Sequence, residues 1–301
     1  MWDVLGIGCV AVDDLLFVPR FPGPDGKMQV PRMERHCGGL TGTALVAAAR
    51  LGAKCAFGGL LGKDILSRAI EENFIAQGVD VSSVVRRPDA QPIHSVIIVG
   101  MDDHTRNIFF HIGGLTGAPE EGIAEKFIQR TRVLFVDQYA MVGAIKAIAA
   151  AMAAGVEVVA DIEQEDDPLT PQFLDIVGHL IVPEAFALRL TGAENVQTAV
   201  RRLWSKARRT VVVTCGENGC WWVESQSGPI RHQPAFRVKV IDTTGCGDVF
   251  HGAYAAALAQ GRPMEQRVRI ASAAAAIKAM HMGGQAGIPR RVEVEDFLKA
   301  Q

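Results

Sequence analysis

Val133-Leu134-Phe135-Val136, the helix-forming run Ala144 to Ala154, and Val156-Glu157-Val158-Val159-Ala160 follow one another along the chain. Strand, helix, strand is the unit of a parallel sheet, because parallel neighbours need a long crossover and a helix supplies it. Further strands at Leu180 to Val182 and Val211 to Thr214, with helices at Ala185 to Leu190 and Thr198 to Ala207, extend the rhythm downstream. Upstream, Val4 to Val10 reads as another buried strand, ending at a loop with Asp13-Asp14. These runs lack polar alternation, as strands covered on both faces do. The expected class is therefore α/β, three layers around a mostly parallel central sheet. Trp221-Trp222-Val223 and Ile230 to Val240 read as antiparallel additions at one edge. Helices are expected at Ala44 to Leu51, ending at Gly52, and at Ile65 to Gln77, before Gly78. The small side chains of Val249 to Ala259 and Val268 to Met280 suit two closely packed helices.

Two segments leave this pattern. Pro19 to Pro31 carries Pro22, Gly23, Pro24 and Gly26, punctuation that a helix or central strand does not accept. Ser95 to Val99 and Ile108 to Phe110 flank the polar turn Asp102-Asp103-His104-Thr105-Arg106-Asn107, as in a hairpin. Together they predict a small β-rich lid made of residues 14–34 and 92–113 on one domain spanning 1–301. No linker or repeat divides the chain.

Composition excludes several functions. With 31 basic and 33 acidic side chains the net charge is −2, so no global field attracts nucleic acid or an anionic membrane. No long apolar stretch predicts a membrane span, and Met1-Trp2-Asp3-Val4 does not open a secretory signal, so a cytoplasmic protein is expected. The six cysteines form no CxxC pair and the eight histidines no zinc-like cluster, which disfavours a metalloenzyme.

Chemistry concentrates in Asp242-Thr243-Thr244-Gly245-Cys246-Gly247-Asp248-Val249-Phe250, directly before a helix of small residues. A glycine-rich turn at a helix N-terminus presents unpaired N–H groups and the positive end of the helix dipole, which suits a phosphate or a developing oxyanion. Asp248 has two readings of equal standing here: a base that takes a proton from an alcohol while Gly245, Cys246 and Gly247 hold a transferring phosphoryl group, or a cap on the following helix. The stretch is not a GxxxxGK[ST] phosphate loop. Gly6-Ile7-Gly8 begins like a dinucleotide fingerprint but continues Val10-Ala11-Val12 without further glycines, which removes most support for an oxidoreductase.

Asp242 to Phe250 resembles the C-terminal signature of the ribokinase-like carbohydrate kinases, the PfkB family, with Cys246 where alanine is usual. Gly38-Gly39-Leu40-Thr41-Gly42-Thr43-Ala44, followed by Ala48-Ala49-Arg50-Leu51-Gly52-Ala53 and Gly62-Lys63-Asp64, is similar to that family's N-terminal signature. The resemblance covers nearly the whole chain. It implies a ribokinase-like fold and in-line transfer of the ATP γ-phosphoryl group to a sugar hydroxyl, with magnesium. Asp248 would be the base and Gly245, Cys246 and Gly247 the anion hole. Gly38, Asp13 and Gly39 would lie at the acceptor; the other readings are a loop-capping acid for Asp13 and a turn residue for Gly39. Thr214, Gly216, Gly219, Thr244 and Gly284 would lie along ATP, although Val211 to Cys220 also reads as a plain hairpin and Ala273 to Ala276 as ordinary helix packing. Many relatives hold a monovalent cation such as potassium on carbonyls near Asp242, Thr244 and Gly284. The resemblance further implies a homodimer made through paired lids.

Two departures bear on substrate. Thr43 stands where the family usually has a sugar-binding asparagine, and Pro183-Glu184-Ala185-Phe186 replaces an NxxE element that serves magnesium. Glu184 is either a metal ligand through water or a first-turn helix acid, and the second reading weighs more. Thr43, Gln233-Pro234-Ala235-Phe236 and Gly283 to Pro289 are similar to the sulfofructose kinases of the family, and the overall spacing resembles the ketohexokinases, which implies a ketose-like acceptor. An anionic acceptor would call for a cationic clamp; Lys27 and Arg106 are the candidates, each also readable as a solvated charge, and Arg106 as a contact to ATP or to a partner subunit. The rival readings are a nucleoside kinase of the same family and a non-catalytic sugar or nucleotide sensor.

Overall fold

The computed structural model describes residues 1–102 and 105–301; Asp103 and His104 of the expected hairpin turn lie outside the described residues. In chain order the strands are β1 (Trp2–Ile7), β2 (Ala11–Val18), β3 (Arg32–Gly38), β4 (Cys55–Phe57), β5 (Leu60–Leu61), β6 (Val79–Asp80), β7 (Val85–Arg86), β8 (Ile93–Gly100), β9 (Thr105–His111), β10 (Thr131–Asp137), β11 (Glu157–Asp161), β12 (His179–Pro183), β13 (Thr210–Thr214), β14 (Cys220–Val223) and β15 (Arg231–Gln233). The helices are α1 (Leu40–Arg50), α2 (Ile65–Ala76), α3 (Glu125–Ile128), α4 (Met141–Ala153), α5 (Thr170–Ile176), α6 (Glu184–Thr191), α7 (Val196–Arg202), α8 (Cys246–Ala259), α9 (Met264–Ala279) and α10 (Arg291–Lys299).

Nine strands form the central sheet in the order β15-β14-β13-β12-β11-β10-β1-β4-β6. Pairing is parallel from β6 to β13, and β14 and β15 join antiparallel. Both faces are covered. Along β10, Val133 and Phe135 enter the core beneath α1, α2, α8, α9 and α10, while Leu134 and Val136 enter the core beneath α3 to α7. This period of two explains why the run is apolar throughout. Among the described residues no helix is long and apolar enough to cross a membrane.

Helices α1 and α8 pack backbone to backbone. A Cβ on Gly252 would sit 2.1 Å from the Ala44 carbonyl oxygen, so only glycine allows this approach. The contact helps bring the N-termini of both helices to the carboxyl edge of the sheet, where parallel α/β sheets bind their ligands.

The lid is a second sheet, β3-β2-β8-β9, joining the proline-rich excursion to the hairpin. Its bounds differ from those expected. The first core strand stops at Ile7 and the chain re-enters a strand at Ala11, so Asp13 and Asp14 stand within the interior lid strand β2 and not in a loop. The lid strands span Ala11–Gly38 and Ile93–His111. The strand expected over Ile230 to Val240 is confined to Arg231–Gln233, because Pro234 has no N–H for the ladder.

Candidate active site

Gly245 occupies the N-cap of α8 with φ +75°, and a Cβ there would lie 2.9 Å from the Gly284 carbonyl oxygen. Both the conformation and the contact require glycine. No side chain caps this helix, so Asp248, in its first turn, is not the cap that local reading left open. The Cys246 N–H donates to the Thr243 carbonyl at 3.1 Å. Of the expected anion-hole donors, Cys246 is therefore already occupied; among the described residues the N–H groups of Gly245, Gly247 and Asp248 have no acceptor. Burial pushes the Cys246 thiol up to about 11, so it is a neutral donor toward the Ala275 carbonyl and not a nucleophile.

Asp248 is half-buried and faces other acids. Burial, then the charges of Asp161, Glu163, Asp137 and Asp13, push its carboxyl well above the usual range. Asp161 is raised likewise, by burial and then by Glu163 and Asp137. Asp137 and Asp161 close adjacent parallel strands and pair in register at the carboxyl edge. Asp137 is fully buried and accepts from the Cys9 N–H and Thr41 Oγ1, both at 2.7 Å, and from the Tyr139 N–H at 2.9 Å. It fixes the end of β1, the start of α1 and the end of β10. Buried His251, one turn beyond Asp248, bonds the Gly247 carbonyl through Nδ1 (2.8 Å) and the Ile181 carbonyl through Nε2 (3.0 Å), with Asp161 Oδ2 3.4 Å from Nδ1. Sequence reading did not single out Asp137, Asp161 or Glu163. The available signal was an acid ending each of two apolar strand runs.

The lid brings Asp13 to the same place. Burial raises its carboxyl while a hydrogen bond from Ser95 opposes that rise, and its charge reaches Asp248. A Cβ on Gly38 would meet Asp13 Oδ2 at 2.7 Å, and one on Gly39, at φ +87°, would meet Val10 Cα at 2.6 Å. Both glycines admit the acid and the turn into α1. Thr43 is buried within α1, its N–H donating to the Gly39 carbonyl at 2.8 Å. Asp14 points to the opposite face of β2, where Arg35 (2.7 and 2.8 Å) and His94 (2.8 Å) engage it and the Arg35 bonds lower its carboxyl to about 2. Arg106, expected at the acceptor, has Nη1 3.3 Å from Asp242 Oδ1, an ion pair that ties the lid to the signature loop. Lys27 is exposed in the coil between β2 and β3.

On the far side of the loop, Thr244 donates its N–H (2.9 Å) and Oγ1 (2.6 Å) to Asp242 Oδ1, and the Gly283 N–H donates to Oδ2 at 2.8 Å. Burial pushes the Asp242 carboxyl up, but these bonds and the Lys278 charge outweigh it and hold the group below the usual range. Thr214 ends β13 with Oγ1 3.4 Å from the Val182 carbonyl, and Gly216 and Gly219, at φ +53° and +83°, turn the chain into β14. Glu184 is the first residue of α6, near Cys215, and is not among the charges that act on Asp248.

A glycine-capped helix start, an acid in its first turn and a lid carboxylate facing that acid are the elements for phosphorylating a polyol. The family model for pfkB carbohydrate kinases matches residues 3–291. The chain belongs to that family. As a pfkB kinase it is a phosphotransferase with an alcohol acceptor, of the sugar-kinase kind. It is 28% identical to a ribokinase of Haemophilus influenzae, across 97% of each chain. It is also 28% identical to a cytidine kinase of Thermococcus kodakarensis, across 90% of this chain and 93% of that one. The solved ribokinase of Thermotoga maritima matches it with a TM-score of 0.84 at 25% identity, covering 99% of this chain and 100% of that one.

Proposed function

We propose that this pfkB kinase transfers the γ-phosphoryl group of ATP directly to a hydroxyl of a ketose-like sugar, with Asp248 as the base. The observation that carries this reading is an acid in the first turn of a glycine-capped helix, beside the free N–H groups of Gly245 and Gly247, with its proton affinity raised by burial and then by the charges of Asp161, Glu163, Asp137 and Asp13. A carboxylate of raised proton affinity accepts a proton from an alcohol more readily than an ordinary carboxylate, and the N–H groups stabilise charge on the transferring oxygens. Asp13 orients the acceptor through hydrogen bonds to its hydroxyls, with Gly38, Gly39 and Thr43 lining the approach. Thr214, Gly216, Gly219, Thr244 and Gly284 line the nucleotide side. The lid excludes water that would otherwise consume ATP.

Among the described residues no group of three or more acidic, histidine or cysteine side chains holds a metal by itself. Magnesium that arrives with the nucleotide needs fewer protein ligands; Asp161 and Glu163, whose charges both act on Asp248, would hold it, with Glu184 reaching it only through water, and it would neutralise phosphate charge. Potassium fits less well, because Lys278 Nζ already stands 2.8 Å from the Asp242 carbonyl oxygen. The ion pair of Arg106 with Asp242 favours a role in tying lid to loop over that of a clamp for an anionic acceptor.

Six free cysteines suit the reducing cytoplasm, where we assign the reaction. The edge strand β9 exposes Ile108, Phe109 and Phe110 at 48, 55 and 64%, an apolar surface suited to pairing lids in a homodimer. A nucleoside acceptor is the second reading, favoured by the likeness to a cytidine kinase. Family membership and the acid at 248 stand against a sensor. The deciding experiment is an ADP-release screen over ribose, fructose, other ketoses, sugar acids and nucleosides. Turnover confined to nucleosides, or none at all, overturns the ketose proposal.

A further inference from the structure

Lys278 lies in the last turns of α9 with no side-chain exposure. A buried ammonium is tolerated only where oxygens replace its water. Here Nζ donates to the Asp242 carbonyl at 2.8 Å and to the His281 carbonyl at 3.4 Å, with the Asp242 carboxylate at 3.9 Å. These same oxygens belong to the two segments that build the anion hole. Asp242 opens the signature loop, and His281 leads into Gly283, whose N–H bonds Asp242, and Gly284, against which Gly245 packs. Asp242 and its neighbour are further fixed to α9, because the N–H groups of Ile241 and Asp242 both donate to the Ala279 carbonyl, at 2.7 and 3.1 Å.

We infer that Lys278 is a built-in monovalent cation: its ammonium fills the oxygen cage formed by Asp242 and His281, fixes the loop that aims the Gly245 and Gly247 N–H groups, and leaves no room for a dissociable potassium ion. Lysine is suited to this role because its ammonium is a compact point charge with rotatable donors, the organic counterpart of an alkali ion on hard oxygen ligands. A potassium ion on the same oxygens would also stand against the ammonium and close to Arg106, which meets Asp242 from the lid at 3.3 Å. Lys278 acts through the loop and touches no reacting atom, so it is a positioning residue. The part of this inference that concerns turnover rests on the kinase reading; the part that concerns cation binding does not.

Two readouts keep those parts separate. In thermal unfolding, the wild-type midpoint should be the same in potassium chloride as in choline chloride at equal ionic strength. Lys278→Ala, which empties the cage, should be stabilised by potassium over choline. In turnover with whichever acceptor the screen identifies, wild type should vary less than twofold between the two salts. Lys278→Met should lose on the order of tenfold to a hundredfold in kcat, with a smaller change in acceptor KM. Potassium or ammonium should restore part of the lost rate to Lys278→Ala. A wild-type midpoint or rate that rises severalfold or by several degrees with potassium overturns the inference, as does Lys278→Met turning over normally. Should Lys278→Met fail to fold, the wild-type salt comparison and Lys278→Ala still decide. Absence of any wild-type turnover would count against the kinase reading, and the melting comparison would then judge the cage alone.

Discussion

The two ends of one short loop have opposite electrostatics. At Asp242 the carboxylate is ringed by donors and cations: Thr244, the Gly283 N–H, Arg106 and Lys278. At Asp248 it is ringed by acids: Asp161, Glu163, Asp137 and Asp13. Both groups are partly removed from water, and burial pushes both upward, yet one ends below the usual carboxylate range and the other well above it. Partners therefore decide the outcome, and the same residue type is held ionised as an anchor at one end and given a raised proton affinity at the other. Asp13 and Asp14 repeat the lesson on the lid. Adjacent in sequence, they face opposite sides of β2, one raised by burial and one held down by Arg35.

The largest expected effect breaks the acid-ringed end. Asp248→Asn should lower kcat by on the order of a hundredfold or more while nucleotide affinity and the unfolding midpoint change little. Steady-state kinetics with isothermal titration of ATP checks this, and near-normal turnover would remove Asp248 as the base. Next is the joint between the ends. Gly245→Val forces a side chain into a left-handed backbone and against Gly284, so turnover should fall by roughly tenfold to a hundredfold, more than acceptor affinity does. Equal losses in kcat and in acceptor binding would indicate collapse of the pocket as a whole.

A finer test concerns the acids themselves. The base must be ionised, so kcat/KM should fall as pH drops through its raised pKa. Asp161→Asn removes one of the charges that raise it, and the acid limb should move to lower pH. A limb that stays in place would mean that Asp161 does not set the proton affinity of Asp248. The smallest effect belongs to the donor-ringed end at the surface. Arg106→Ala breaks a partly exposed ion pair between lid and loop, of a kind worth under about 1 kcal/mol, and should change kcat and KM only a few-fold. A loss as large as that of Asp248→Asn would assign Arg106 to the reacting groups.

How much of this was legible depends on the range of the interaction. The strands β10, β11 and β13 and the helices α2, α4, α8 and α9 follow from periodicity, because each buries a continuous face long enough to leave a pattern. The three-residue β4 left none, although it is fully buried between β1 and β6. The turn at Gly245 to Asp248 was visible because its chemistry is local: a glycine that must adopt positive φ, followed by an acid. The acids around it were not, since Asp137 and Asp161 become neighbours of Asp248 only when parallel strands align. Lys278 was hidden for a similar reason, as a lone lysine in an alanine-rich helix looks like a solvated charge until the Asp242 and His281 carbonyls close around it.

The sequence by itself determined the layer order, the lid and the glycine turn that opens the long C-terminal helix, because backbone periodicity and a glycine-dependent turn are properties of consecutive residues. Tertiary structure alone decided that Asp248 is not a helix cap, that Cys246 gives its N–H to Thr243, and that Asp13 arrives from a lid strand to act on Asp248. Proton affinity and charge pairing depend on distances between segments far apart in the chain, and those distances exist only once the sheet has brought its carboxyl edge together.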